Sequence, residues 1–178
     1  MNLIPYVQVD GRWSLTDTCM KALFEKMREH DLIKVVFSSG TVGSAEDFLG
    51  LAKNPMNTVH TVWNDNGICL AVIWLNNYGF NHAFGHFCIY PEAWGKHTDE
   101  IGKLTLDYWF GFEKEDGSPM LDVILGKISA ENQHALSFLQ RIGMKVVGVI
   151  PKIMFDFYEN RKVGAAFLYI EREVLEDG

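Results

Sequence analysis

Cysteine is scarce in this sequence, and its three copies, Cys19, Cys69 and Cys88, lie far apart. A disulfide framework needs an even number of cysteines, and a cysteine-rich zinc site needs them closely spaced. The sequence therefore predicts neither, and it favours buried thiols in a reducing compartment.

Long apolar runs are also missing, since no stretch reaches the roughly 18 residues of a membrane-spanning helix. The N-terminal segment MNLIPYVQVD lacks the cationic start and the apolar run of a signal peptide. No Pro-rich, low-complexity or repeated segment is present. We therefore expect a cytoplasmic protein.

Positive charge is in deficit, because 16 Lys and Arg face 23 Asp and Glu, which gives a net charge of -7. Nucleic acid and anionic membranes bind clusters of Lys and Arg, so neither is an expected partner. What the sequence does contain is 48% hydrophobic and 13% aromatic residues in a chain of 178. That composition predicts a single domain over residues 1–178 with a core rich in large rings.

The spacing of apolar residues predicts an alternation of strands and helices. Ser14 or Asp17 can cap a first helix. Ser44, with Asp47 three residues later, forms a capping pattern for a second helix. An Asn-Gly pair at 66–67 predicts a hairpin turn. Strands are predicted over residues 3–9, 58–63, 68–75, 83–90, 123–128, 145–150 and 164–171.

The central stretch, residues 81–112, has the pattern of a strand, a turn and a helix. The turn contains Pro91 and Gly95. A helix that begins just after a strand presents unpaired backbone N–H groups and a partial positive charge, and a diphosphate is the commonest ligand of such a helix end. The apolar residues at helical spacing are Ile101, Leu104, Tyr108 and Phe112.

A second segment, residues 122–148, resembles the last conserved part of the GNAT superfamily of acyl-CoA-dependent N-acetyltransferases. The family pattern is a strand, an Asn that opens a helix, a small residue three positions later, and a Gly-hydrophobic pair before another strand. The matching residues are Asn132, Ala135, Gly143 and Met144. Together with the order of elements and the sequence Pro91-Glu92-Ala93-Trp94-Gly95-Lys96, the resemblance covers about residues 44–172.

The resemblance is strongest to the ribosomal-protein-type branch of that superfamily. It implies an α/β fold with a mixed, mostly antiparallel sheet of six or seven strands, flanked by helices and with splayed central strands. It also implies acetyl-CoA as cofactor, with the pantetheine arm against the strand at Cys88, Ile89 and Tyr90, and with the N–H groups of Cys88 and Tyr90 on the thioester. Asn132 would face the cofactor or hold the splayed strand. The diphosphate would rest on Trp94, Gly95, Lys96, His97 and Thr98.

The loop departs from the family pattern, which has Gln or Arg, two residues, Gly, one residue, and then Gly or Ala. His97 stands at the key glycine, and Asp99 and Glu100 place two carboxylates in the first turn of the helix. At about 6 Å and an effective dielectric constant of about 20, one such carboxylate repels a phosphate charge by on the order of 3 kcal/mol. We therefore expect weakened diphosphate binding, although these acids also complement the helix dipole.

The proton donors of the family are replaced as well. Many relatives carry a Tyr seven residues after the helix-opening Asn, where this chain has Leu139, and the ribosomal-protein-type branch often has a Ser where this chain has Ala135. The remaining catalytic candidates are Glu92, His86 and Tyr90, with His134 on the following helix also near the expected cleft. Glu92 can equally be a solvated turn residue, and His86 a partly buried structural histidine.

A metal site is not expected. His82 and His86 are four residues apart on a predicted strand, and side chains at that spacing stand about 13 Å apart. Residues 152–161, KIMFDFYENR, alternate large apolar and polar side chains. In the family this region shapes the acceptor pocket or a subunit contact, and we expect its apolar residues in the core or at an interface.

Two functions follow as hypotheses. The first is direct transfer of an acetyl group from acetyl-CoA to an amine of a small molecule or of a protein N-terminus. The second is a catalytically inactive GNAT-fold protein that serves as a binding or assembly factor, alone or as a homodimer. Some tailed bacteriophages encode GNAT-like proteins linked to head assembly, and this chain is similar to that group.

Overall fold

The computed structural model describes residues 1–172, which form a seven-stranded sheet, a small hairpin and five α-helices. The helices are α1 (Asp17–Glu29), α2 (Ile33–Val36), α3 (Ala45–Lys53), α4 (Thr98–Phe110) and α5 (Gln133–Arg141). The strands are β1 (Asn2–Pro5), β2 (Gln8–Val9), β3 (Arg12–Trp13), β4 (Thr58–Trp63), β5 (Cys69–Asn76), β6 (His82–Ile89), β7 (Val123–Ser129), β8 (Lys145–Asp156) and β9 (Arg161–Glu171). None of the described helices has the length and apolar character needed to cross a membrane.

The helix caps agree with the sequence at α3 and differ from it at α1. Ser44 and Asp47 form the predicted capping box. The cap of α1 is Thr16, whose hydroxyl accepts from the Cys19 N–H at 3.1 Å. Ser14, one of the two predicted caps, instead donates its hydroxyl to the Pro5 carbonyl at 2.6 Å.

Three predicted strand limits are wrong, and one of them is the start of β9, which begins at Arg161 and not at residue 164. The first strand ends at Pro5, and the chain then forms the separate β2–β3 hairpin through Asp10 and Gly11, which have φ angles of 50° and 78°. β8 runs six residues beyond its predicted end, because residues 154–156 pair with β9 again after an irregularity between Ile150 and Met154. The hairpin at Asn66–Gly67 is confirmed, with Gly67 at φ 74°.

The main sheet has the strand order β1-β4-β5-β6-β7-β9-β8. The β6–β7 pair is parallel, and the other adjacent pairs are antiparallel. The predicted mixed, mostly antiparallel sheet is therefore confirmed, with seven strands. The one parallel pair lies near the middle, where the chain crosses from β6 through α4 to β7.

Helices pack on both faces of this sheet. We call the face under α1 and α3 the front face, where Phe24 and Phe48 join Trp74 and Tyr90 in one buried cluster. On the opposite, back face, α4 and α5 pack on β5, β6 and β7. The prediction of which α4 residues face the core is partly wrong, because Tyr108 is 36% exposed whereas Trp109 is fully buried.

Candidate functional site at the β6–β7 seam

The two parallel strands separate after a short ladder. They pair at three positions, His82↔Val123, Ala83↔Ile124 and Phe84↔Leu125. β6 then continues to Ile89 and β7 to Ser129 without further pairing. The predicted splay is therefore present, and it opens toward the carboxyl ends of both strands.

Gly85 stands at the point where the strands separate. A Cβ atom at this position would lie 2.9 Å from Cζ3 of Trp109 and 3.1 Å from Cγ2 of Ile124. Glycine therefore lets the Trp109 ring pack directly against β6 from the back face. Phe87, two residues further along, contacts Trp109 and Phe138 with ring centroids 5.4 Å apart in both cases.

The backbone groups that face the gap differ from those expected. The Tyr90 N–H donates to the Leu70 carbonyl at 2.9 Å, so it points toward β5. Because hydrogen-bonding direction alternates along an antiparallel strand, Cys88 also points toward β5, whereas Phe87 and Ile89 point into the gap. The N–H groups of Cys88 and Tyr90, which were the expected thioester contacts, therefore face β5, whereas those of Phe87 and Ile89 face the gap.

No local pattern in the sequence marks this assignment, because it depends on the register of β6 against β5. The Gly79 N–H donates to the His82 carbonyl at 2.8 Å and closes the turn between β5 and β6. Counting the pairs outward from that turn gives the direction of every backbone group on β6. Phe87 was missed because the strand prediction fixed its limits but not its register.

Trp94 covers part of the opening. Its indole Nε1 donates to the Ile89 carbonyl at 2.9 Å, although the side chain is 56% exposed. This bond confirms that the Ile89 carbonyl faces away from β5. It also occupies a backbone acceptor that faces the gap.

The turn after β6 leads directly into α4. A single 3₁₀ turn at Pro91–Ala93 is followed by Gly95 at φ 77°. The Thr98 hydroxyl then holds the loop, since it donates to the Ala93 carbonyl at 3.1 Å and accepts from the Gly95 N–H at 3.2 Å. The His97 N–H is also used, at 3.0 Å from the Ala93 carbonyl.

Four backbone donors in the loop and at the start of α4 are unused. Within residues 1–172, no acceptor lies within hydrogen-bond range of the backbone N–H groups of Lys96, Thr98, Asp99 and Glu100. Unpaired N–H groups at the start of a thirteen-residue helix are the geometry that binds phosphate groups.

Both carboxylates of the first turn of α4 are paired with cationic or protonatable groups. Arg141, the last residue of α5, binds Asp99 with Nε at 2.9 Å from Oδ2 and Nη2 at 2.9 Å from Oδ1. These bonds hold the pKa of Asp99 below its ordinary value. Glu100 lies 2.9 Å from Nδ1 of His97. The repulsion expected from Asp99 is therefore largely offset by a residue that is distant in the sequence.

Tyr90, one of the catalytic candidates, has its side chain away from the gap. Its ring is fully buried in the front cluster, and its hydroxyl donates to the Leu23 carbonyl at 2.8 Å. Burial raises the pKa of this hydroxyl above its ordinary value. The ammonium of Lys26 lies 4.4 Å from the ring centroid. These contacts are those of a structural tyrosine.

His86 also points to the front face. Its ring stacks on Trp74 with centroids 4.8 Å apart, and Nε2 lies 2.9 Å from Oδ1 of Asn76. Burial, together with the charge of Lys127 on β7, lowers the pKa of His86 to about 4. The imidazole is therefore neutral at pH 7 and a weak base. Lys127 was not singled out from the sequence, although it is a lone cation in an apolar strand.

Glu92 lies at the end of β6 and is partly exposed. Burial alone would raise its pKa, but the bond from Lys26 Nζ, 2.8 Å from Oε1, outweighs that effect and holds the pKa below its ordinary value. Lys26 also donates to the Cys69 carbonyl at 2.9 Å. Glu92 is thus an ionised carboxylate just after β6, bound to Lys26 on α1.

Asn132 has a structural role that accounts for its place in the pattern. It caps α5, and its Oδ1 accepts from the Ala135 N–H at 3.0 Å. The described residues contain no cluster of three or more His, Cys, Asp or Glu side chains that could hold a metal ion.

Comparisons with solved structures identify the fold. A point variant of spermidine N-acetyltransferase SpeG from Vibrio cholerae superposes with a TM-score of 0.74 and 15% identity, over 98% of this chain and 97% of that one. The same enzyme in complex with CoA and spermine gives 0.73 and 16%, over 98% of both chains. A GNAT-family acetyltransferase from Bacillus anthracis gives 0.70 and 20%, over 97% and 96%. The chain therefore has the GNAT fold.

Sequence comparisons add no closer relative. No protein-family model matches the chain, and no curated protein matches it. The resemblance seen in residues 44–172 is therefore confirmed at the level of the fold.

Proposed function

We propose that this protein is an acyl-CoA-dependent N-acyltransferase that transfers an acetyl group directly to an amine. One observation supports this proposal above the others. The unpaired inner edge of β6, from Gly85 to Ile89, leads through one short turn to the four unused N–H groups at the start of α4. A ligand with an amide-bearing arm and a diphosphate matches both features in that order.

Each portion of CoA has residues of this chain that fit it. The backbone N–H groups of Lys96, Thr98, Asp99 and Glu100 would hold the diphosphate, and Lys96 adds a cation. The backbone of Phe87 and Ile89 would pair with the pantetheine amides. Bound acetyl-CoA would supply the activated thioester acyl group. Because Asp99 is paired with Arg141, its repulsion of the diphosphate would be largely offset.

Two groups of this chain would act on the reaction itself. The Ile89 N–H points into the gap and would polarise the thioester carbonyl. Glu92, an ionised carboxylate just after β6, would accept the amine proton through solvent, and its low pKa makes it a weak base. Of the three catalytic candidates, Glu92 has the exposure that this role needs.

For the acceptor we propose a small amine or a protein N-terminus. The Vibrio cholerae structures support the first, because their enzyme is described as a spermidine N-acetyltransferase and was crystallised with spermine. The resemblance to the ribosomal-protein-type branch supports the second. We place the reaction in the cytoplasm, following the sequence.

Calorimetric titration with acetyl-CoA and with CoA at low salt tests the proposal. We expect micromolar binding of both. Arg141→Gln leaves Asp99 unpaired beside the diphosphate and should weaken binding by about tenfold. Lys145→Gln is the matched control. Lys145 Nζ lies 3.2 Å from a carboxylate oxygen of Glu171, and this ion pair is not at the seam, so the substitution should leave binding unchanged.

A screen of polyamines and peptides by release of the CoA thiol would then identify the acceptor. Failure to bind CoA at millimolar concentration would contradict the enzyme proposal.

A second candidate function is supported by Trp94. Its indole N–H donates a hydrogen bond to the Ile89 carbonyl, and neither His86 nor Tyr90 offers a catalytic group at the gap. A GNAT-fold protein that no longer binds CoA would serve as a binding or assembly factor, for example in phage head assembly. Absence of CoA binding by both the wild-type protein and Trp94→Phe would favour this function.

A further inference from the structure

A shallow apolar groove lies on the front face of the sheet, in the half that carries β7, β9 and β8. Its volume is about 330 Å³, and its walls are Phe84, Leu125 and Phe167, with Val147 and Ile150 at the side. Within the described chain no helix residue lines the groove, and the buried front cluster contains no residue of β7, β8 or β9. The groove is therefore open to solvent, and apolar lining of this kind is typical of a small-molecule site.

The groove begins where the gap between β6 and β7 begins. Phe84 and Leu125 form the last pair between these strands, and both line the groove. On the back face, α4 and α5 pack on β5, β6 and β7. A second substrate therefore has to approach the gap from the front. A molecule in the groove would place one of its ends at the gap, where the thioester would lie.

One cation stands beside both the groove and the gap. Lys127 follows Leu125 by two residues on β7 and is opposite Phe167 on β9, so the three side chains share the front face. Burial is the main cause of the low pKa of His86, and the nearby charge of Lys127 adds to it. Lys127 forms no ion pair within residues 1–172. Its ammonium is therefore available to a carboxylate of a ligand.

The carboxylates near the gap offer no site to a polycation. Glu92, just after β6, is bound to Lys26, and Glu131, just after β7, is bound to Arg161. Among the described residues, none that lines the groove is acidic. A polyamine carries several ammonium groups that need anionic partners, whereas the unpaired charge here is positive. The charges therefore favour an acceptor whose second charged group is negative.

We propose that the acceptor is a free amino acid with a large apolar side chain, which lies in the groove while its carboxylate binds Lys127. This inference rests on the proposed function and names the substrate class for it. In the transfer, the neutral amine nitrogen forms an amide bond to the acetyl carbon as the C–S bond of the thioester breaks. The amine loses one proton to Glu92 through solvent, and the departing sulfur takes up one proton from solvent. Lys127 selects the acceptor and takes no part in the bond changes.

Calorimetric titration with N-acetylphenylalanine and with its uncharged amide tests the groove without CoA. We expect the acid to bind about tenfold more tightly than the amide at low salt, because only the acid can pair with Lys127. Lys127→Gln should abolish this difference, and Lys127→Arg should keep it. Lys114→Gln is the matched control. Lys114 follows α4, and its ammonium lies 5.5 Å from the ring centroid of Phe80, so the preference for the acid should remain.

Transfer from acetyl-CoA, followed by release of the CoA thiol, gives a second readout. Lys127→Gln should lower kcat/KM for free phenylalanine by about tenfold and leave kcat/KM for phenylalaninamide unchanged. Phe167→Ala should lower kcat/KM for phenylalanine by about tenfold, mainly through KM. The same variant should leave glycine unchanged as an acceptor, because glycine has no side chain to fill the groove. Spermidine should be a poorer acceptor than phenylalanine.

Equal affinity for the acid and the amide in a protein that binds CoA would overturn this inference and leave the proposed function intact. A preference for spermidine or for peptides over free phenylalanine would overturn it too. Faster transfer from hexanoyl-CoA than from acetyl-CoA, lost in Phe167→Ala, would assign the groove to the acyl chain instead. Failure to bind CoA would overturn the proposed function and the acceptor role together.

If Phe167→Ala fails to fold, Val147→Trp replaces it. Val147 is 69% exposed at the side of the groove, so a larger side chain there is tolerated by the core. The indole should narrow the groove and raise KM for phenylalanine but not for glycine. An unchanged KM for phenylalanine would contradict the placement of the side chain in the groove.

Discussion

Two strands of similar apolar character, β5 and β8, differ sharply in how much of their side-chain surface is buried. β5 has seven of its eight residues buried, whereas β8 has none of its twelve in the buried class. β5 lies inside the sheet with helices on both faces, and β8 is the edge strand of the half that lacks front-face helices. Burial is therefore decided by the place of a strand in the sheet. The covered half holds the core, and the uncovered half presents an open apolar surface.

The largest effect that would test this comparison comes from one substitution made in both strands. Ile73→Ala in β5 removes a fully buried side chain and should lower the free energy of unfolding by about 4 kcal/mol. Ile150→Ala in β8, where the side chain is 48% exposed, should lower it by less than about 1 kcal/mol. Urea unfolding measures both, and equal losses would refute the contrast.

Acid should weaken the covered half through its two buried histidines. Burial lowers the pKa of His60 and of His86 to about 4, from about 6.5 in the unfolded chain. The unfolded state then binds more protons than the folded state between these values, so stability falls as the pH drops through that window. Between pH 7 and pH 5 each histidine should cost about 2 kcal/mol.

Urea unfolding at the two pH values, on the wild type and on His60→Leu, measures this loss. The variant removes one titrating group, so its stability should fall by about half as much as that of the wild type. An equal fall in both proteins would show that His60 does not contribute.

The smallest expected effect lies at the seam between the halves. Trp94→Phe keeps an aromatic ring but removes the donor on the Ile89 carbonyl. If CoA uses that carbonyl, its affinity should rise about fivefold, equivalent to about 1 kcal/mol. Trp63→Phe is a control, because the Trp63 Nε1 donates to the Thr61 hydroxyl within β4, which does not border the gap. Calorimetry that shows unchanged binding for Trp94→Phe would mean that the indole does not compete with the ligand.

Much of the fold followed from local patterns. The Ser44 and Asp47 cap, the Asn66–Gly67 turn and the strand-turn-helix unit in residues 81–112 each depend on a few adjacent residues. The GNAT resemblance in residues 122–148 led to the correct fold. The limits of β1 and β8 were missed because their ends are set by pairing with β4 and β9, which lie far away in the sequence.

The candidate site was predicted less completely. The loop residues Trp94 to Thr98 do lie at the start of α4, where the resemblance placed them. Phe87, Lys26 and Arg141 were missed, since each acts through a contact with a distant segment. No local pattern encodes such contacts.

By itself the sequence determined the periodicity, the caps and the turns, because these depend on interactions within a few residues of one another. Only the tertiary structure decided which backbone groups of β6 face the gap, that Arg141 pairs with Asp99, and that β8 lies exposed at an edge. Those features depend on strand register and on helix packing, and both are fixed when distant segments compete for the same buried surface.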